Sequence, residues 1–134
     1  MTKQILIVDD EPAIRRALKR TLERAGHQVR VADNGSEGLE ELQRQMADVV
    51  ISDIIMAKVH GVEFISKVAK QFPAVRIIAI SGGGNFGATE YQPNAITTSA
   101  YLAAAQKAGA HGTLTKPFST GDVLKLIDAV MAAG

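Results

Sequence analysis

Asp9, Asp10, Asp53 and Lys116 are the residues of this chain whose types and placement could do chemistry. The two adjacent acids follow Gln4-Ile5-Leu6-Ile7-Val8, and Asp53 follows Asp48-Val49-Val50-Ile51-Ser52. Lys116 closes Gly112-Thr113-Leu114-Thr115, just ahead of Pro117. Each run reads as a short buried strand, and in an open parallel sheet the carboxyl ends of the strands share one rim where ligands bind. Residues far apart in sequence can gather there. Taken singly, each has an ordinary reading: an acid before a helix is a cap, an Asp after a strand starts a turn, and a lysine is solvated. Taken together they say more. Three carboxylates on one rim repel one another unless a cation lies between them, and oxygen-only ligation suits Mg²⁺, with Mn²⁺ as the alternative. An amine beside that cation suits an anionic group. The combination points to phosphoryl chemistry.

The elements that must position these residues alternate along the chain. Ile5–Val8 reads as a strand, and Pro12 sits at a helix start, where its missing N–H does no harm. Ile14, Ala17, Leu18, Thr21 and Leu22 recur at helical spacing, with Gly26 as the stop. Val29–Ala32 is a second strand, and Asn34 or Ser36 caps a helix carrying Leu39, Leu42 and Met46. Asp48–Ser52 is a third strand, and a helix over Gly61–Gln71 turns Val62, Ile65, Val68 and Ala69 inward. Val75–Ile80 is the fourth strand, and Ser81 opens the one long irregular stretch, which begins Gly82-Gly83-Gly84. Helix resumes between Asn94 and Thr98 and runs to Ala108, with Gly109 ending it. Gly112–Thr115 is the last strand, and Ser119 or Thr120 caps a helix through Val123, Leu124, Ile127 and Val130. Five βα units in one domain, 1–134, place helices on both faces of a parallel sheet.

Composition narrows the function. A chain of 134 residues with 46% hydrophobic and 22% charged residues suits one soluble domain. Its net charge of +1 and 4% aromatic content offer neither a basic track nor a stacking platform for nucleic acid. The absence of cysteine removes thiolate chemistry and cysteine-ligated metals, and suits a reducing, cytoplasmic setting. No apolar stretch is long enough to span a membrane. The first turn, Asp9-Asp10-Glu11-Pro12, is negative where a dinucleotide site needs G-x-G-x-x-G, and no G-x-x-x-x-G-K-[ST] loop occurs. His27, His60 and His111 lie apart, with no paired metal-ligand spacing.

The chain resembles the receiver domain of bacterial two-component response regulators. The matching stretches are Ile5-Leu6-Ile7-Val8-Asp9-Asp10-Glu11, Asp48 through Met56 with Gly61, Ile77-Ile78-Ala79-Ile80-Ser81, Gly109-Ala110, and Leu114-Thr115-Lys116-Pro117-Phe118. They keep the family's order and cover essentially the whole chain. The resemblance implies an α/β, flavodoxin-like (βα)5 three-layer sandwich with parallel sheet order 2-1-3-4-5 and, here, a long loop after strand 4. It makes Asp53 the phosphoacceptor, Asp10 the direct metal ligand, Asp9 its more water-mediated neighbour and the Ile55 carbonyl a third protein ligand. It gives Ser81 and Lys116 the phosphoryl oxygens and makes the Lys116–Pro117 bond cis.

Three departures from the family pattern bear on output. Thr113 stands where many members carry an aromatic switch, Ala57 replaces a proline, and Ser81 to Lys116 is longer than usual. The extra length falls in the Gly82–Thr98 stretch, in or near which lie Phe86, Tyr91, Ile96 and Tyr101, and which is expected to carry part of the output. Ile55 and Gly83 offer no side chain to activate water, so slow loss of the phosphoryl group is expected. The implied function is Mg²⁺-dependent phosphorelay signalling, with no reaction beyond the domain's own phosphorylation and dephosphorylation. The implied partner is a sensor histidine kinase or histidine phosphotransfer protein, with no direct nucleic-acid or membrane contact, and the domain itself a monomer or weak dimer. The alternatives are the receiver part of a larger regulator whose effector domain is absent from this chain and, more distantly, a Mg²⁺-dependent phosphatase.

Overall fold

Strands whose successive side chains point to opposite faces, and helices with one buried stripe, assemble a three-layer α/β sandwich. In the computed structural model the described residues are 2–54, 61–82, 103–116 and 118–132. They form β1 (Gln4–Val8), α1 (Pro12–Arg24), β2 (Gln28–Ala32), α2 (Gly35–Arg44), β3 (Val49–Asp53), α3 (Gly61–Gln71) and β4 (Arg76–Gly82). A helix, α4, is described over 103–108, and β5 (Gly112–Lys116) and α5 (Thr120–Ala132) complete the fold. The five strands make one sheet in the order β2-β1-β3-β4-β5, with every pairing parallel.

Alternate residues of the inner strands feed two cores. Leu6, Val8, Val50, Ile77 and Ala79 pack with Leu42 of α2, Phe64, Ile65 and Val68 of α3 and Ala105 of α4. Ile5, Ile7, Val49, Ile51, Ile78, Ile80 and Leu114 pack with Leu18 and Leu22 of α1 and with Val123, Ile127 and Val130 of α5. β3 is buried at all five positions, as its unbroken Val-Val-Ile requires when both faces are covered. Helix ends follow local chemistry. Asn34, rather than Ser36, caps α2 by accepting from Glu37 N at 2.9 Å, and Ser119 and Asp122 each accept the other's backbone N–H at 3.0 Å to start α5. Gly26 follows α1 with φ 99°, a left-handed exit that glycine adopts without a Cβ penalty.

Two boundaries differ from the sequence reading. Met46 is not on the inward face of α2: the helix ends at Arg44, Gln45 is extended, and Met46 is 47% exposed. Arg30 of β2 donates to the carbonyls of Glu41, Gln45 and Met46 at 3.0, 2.8 and 3.3 Å, the first of which also accepts from Gln45 N. β4 runs two residues past Ile80, because Ser81 and Gly82 pair with Thr115 and Lys116 of β5. The stretch 83–102, with the residues expected to act there (Gly83, Phe86, Tyr91, Ile96 and Tyr101), lies outside the described residues, as do Ile55, Ala57, His60 and Pro117.

Candidate phosphoryl and metal site

Register delivers the site residues to one rim. Val8 pairs with Ser52, Asp53 with Ile80, Ser81 with Thr115 and Gly82 with Lys116, so Asp9, Asp53, Ser81 and Lys116 stand at the carboxyl ends of four neighbouring strands. The period of two puts Asp53 on the face of Val49 and Ile51, and Lys116 on that of Leu114, towards α1 and α5. Ser81 falls on the face of Ile77 and Ala79. Thr113 is partly buried and pairs with Ala79 lower in the sheet.

Asp9, Asp10 and Asp53 each bring a carboxylate oxygen within 4.8 Å of the others. Asp9 is 1% exposed and Asp53 7%, while Asp10 is exposed, so the cluster runs from the interior to solvent. Asp9 is fixed firmly: Oδ1 accepts from Glu11 N at 2.9 Å, and its carbonyl accepts from the Arg15 guanidinium at 2.8 Å. The capping reading of Asp9 does not hold, because the N-cap of α1 is Glu11 and Asp9 Oδ1 meets that residue's own N–H. The other oxygen, Oδ2, is buried with no hydrogen-bond partner among the described residues. Burial above all, and then the charge of Asp53, push the Asp9 carboxyl up to about 6, against the lowering by the Glu11 N–H.

Lys116 Nζ lies 3.4 Å from Asp53 Oδ2 and 3.3 Å from Glu11 Oε1. Burial by itself would lower this ammonium, but Asp53, Asp9 and Glu11 outweigh it and hold the group above the ordinary lysine value. Ser81 is buried, and its Oγ has no hydrogen-bond partner among the described residues. Buried polar atoms are rarely left so, and an orphaned carboxylate oxygen and an orphaned hydroxyl on one rim mark a place prepared for something else. Oxygen donors alone, partly open to water, fit Mg²⁺. The strand that carries Asp53 is also held from behind. Gly61 N donates to the Ile54 carbonyl at 3.2 Å, and a Cβ at Gly61 would run into the Asp53 carbonyl and the Ile54 backbone. Sequence reasoning brought Asp9, Asp10, Asp53, Ser81 and Lys116 to this rim but assigned nothing to Glu11, whose only signal was its place as the third acid of the first turn.

A doubly wound sheet with three acids, a lysine and a serine on its carboxyl rim defines a phosphoacceptor domain of the receiver class. The family model for the response regulator receiver domain matches residues 5–128, and the chain belongs to that family. It is 32% identical over 131 residues to the chemotaxis protein CheY of Thermotoga maritima, covering 97% of this chain and 98% of that protein. It is 33% identical over 133 residues to CheY of Halobacterium salinarum, covering 99% and 100%. Against the transcriptional regulatory protein GlrR of Escherichia coli it is 31% identical over 92% of this chain, yet spans only 25% of that protein. Among solved structures, Vibrio cholerae CheY4 superposes with a TM-score of 0.76 at 31% identity, covering 97% of this chain and 99% of that one. A CheY-like receiver domain protein of Methanospirillum hungatei does so with 0.83 at 26%, covering 99% and 96%. The chain carries a phosphorelay receiver module, the kind that takes a phosphoryl group on aspartate, and its three-aspartate cluster fits Mg²⁺. No helix among the described residues is long and apolar enough to cross a membrane.

Proposed function

We propose that the chain works as one receiver domain over 1–134, with Asp53 as its phosphoacceptor and a phosphohistidine of a sensor kinase or phosphotransfer protein as its donor. The observation that carries this reading is the position of Asp53, within 4.8 Å of the Asp9 and Asp10 oxygens and 3.4 Å from Lys116 Nζ. One Asp53 oxygen attacks phosphorus as the bond from phosphorus to the donor imidazole breaks, and that bond's electron pair returns to the imidazole nitrogen. Little covalent machinery is needed, because such transfers depend on alignment and on neutralising the equatorial oxygens. Asp9, Asp10 and Asp53 would hold Mg²⁺, which supplies positive charge to one phosphoryl oxygen when bound. Lys116 turns from Asp53 to a second oxygen, and the unpartnered Ser81 hydroxyl donates to a third. On the family's pattern the Ile55 carbonyl would be a further ligand, but Ile55 and Gly83 lie outside the described residues.

The donor protein has a surface to use beside this site. A groove of about 360 Å³ between α1 and α5 is lined by Ile14, Ala17, Leu18, Phe118 and Val123 and reaches the stem of Lys116. Arg16, Arg20 and Arg24 form an exposed stripe along α1. An amphipathic helical partner with an acidic flank fits this face. A second reading, the receiver part of a longer regulator in the same cytoplasmic setting, is favoured by the match that spans a quarter of GlrR. Intact mass after treatment with acetyl phosphate and Mg²⁺ tests the acceptor directly. One phosphoryl group should be gained, and D53N should gain none; an equal yield in D53N overturns the assignment.

A further inference from the structure

Glu11 opens α1 without capping it. Its backbone is extended at the N-cap (φ −96°, ψ 112°), but its side chain makes no cap hydrogen bond. The main chain there is held from both sides, the N–H donating to Asp9 Oδ1 at 2.9 Å and the carbonyl accepting from Arg15 N at 3.1 Å. With its backbone so fixed, Glu11 reaches across to the end of β5, where Oε1 meets Lys116 Nζ at 3.3 Å. The lysine side chain is 15% exposed and that of Glu11 44%, so the contact ties a largely enclosed cation to a carboxylate at the solvent edge.

One ammonium carries one charge, and here two carboxylates share it, since Asp53 Oδ2 lies 3.4 Å from the same nitrogen. An incoming phosphoryl group adds negative charge at Asp53 and needs that ammonium for one of its oxygens. Glu11 opposes this twice. It holds the cation that the phosphoryl group must recruit, and it keeps a like charge near the entry, where partial burial weakens screening.

We propose that Glu11 is a positioning residue that holds Lys116 back from the phosphoryl pocket of the unphosphorylated domain, and so selects against small, free dianionic phosphodonors. This rests on Asp53 being the acceptor. A protein donor lying along α1 has Glu11 at its border, and a basic side chain of that donor would take Glu11 over and free Lys116. A free small donor brings no such group and meets the restraint in full.

Initial rates of phosphoryl gain for the parent and E11Q, each over a range of donor concentration with saturating Mg²⁺, test the proposal. With acetyl phosphate, a dianion at neutral pH, E11Q should be faster by roughly threefold, the scale of a half-exposed ion pair. The gain should come mainly as a lower half-saturating donor concentration, and it should shrink with phosphoramidate, a monoanion, and in high salt. An E11Q rate equal to or below the parent's overturns the role of Glu11. So does an increase of the same size for both donors at every salt concentration, which would be a conformational effect on α1. A parent that gains no phosphoryl group at all would instead remove the acceptor assignment on which the proposal rests.

Discussion

The two ends of the sheet are built on opposite rules. At the amino end, polar groups are spent on one another. Gln4 N donates to Asp48 Oδ2 at 2.8 Å, Lys3 N to His27 Nδ1 at 3.1 Å, and Ile77 N to His111 Nδ1 at 3.0 Å. Arg76 donates to the Val130 carbonyl near the end of α5 at 3.0 Å, and Arg30 covers three carbonyls at the end of α2, leaving only its Nε without a partner. At the carboxyl end, acids crowd together, and Asp9 Oδ2 and Ser81 Oγ stay buried and unpartnered among the described residues. Paired groups hold the strands in place and have nothing left to offer a ligand. Unpaired ones cost stability and are free to bind. The contrast locates function in the end that the protein keeps electrostatically strained.

The largest effect should come from breaking the support behind Asp53. G61A forces a methyl group into the Asp53 carbonyl and the Ile54 backbone, so it should lose about 3 kcal/mol of stability in urea unfolding, the upper range for overpacking. Phosphorylation should fall with it, because β3, which carries the proposed acceptor Asp53, must shift. A variant as stable and as readily phosphorylated as the parent would show that the close approach is slack.

A smaller effect tests the amino end. H111A removes the acceptor of the Ile77 N–H and should cost about 1 kcal/mol near neutral pH. His111 is lowered from 6.5, first by burial and then by Arg76, so the folded state binds fewer protons than the unfolded chain. Its contribution is therefore complete above the unfolded value and declines as pH falls through the lowered one. His27 shifts the same way, by burial first. Asp9, raised to about 6, pulls in the opposite sense, its ionisation costing stability as pH rises. Urea midpoints of parent and H111A from pH 8 to 5 should differ most above 6.5 and converge below it. A difference that grows towards acid would reverse the assignment of His111 as a neutral acceptor.

These two ends were not equally legible in the sequence. Asp9, Asp53 and Lys116 could be placed because each ends a strand, and the ends of parallel strands fall on one rim whatever the register. Asn34 and Gly26 could be read because caps and stops are local. What stayed hidden depends on partners distant in the chain. The last two residues of β4 exist through pairing with Thr115 and Lys116, and α2 ends where Arg30 of another strand takes its carbonyls. His27 and His111 looked idle because the N–H groups they accept, of Lys3 just before β1 and of Ile77 in β4, lie far away in sequence. Glu11 and Lys116 meet across 105 positions, a pairing that no local pattern announces.

The carboxyl rim holds repulsion that a cation relieves. Urea unfolding of the parent and D10N at pH 8, with and without millimolar Mg²⁺, tests it most directly, with H111A as the control from the other end. A cation bound only by the folded rim stabilises by mass action. The parent and H111A should therefore gain stability on adding Mg²⁺ by the same amount, and D10N should gain little. A parent that does not respond to Mg²⁺, or a D10N that responds as fully as the parent, would contradict the account.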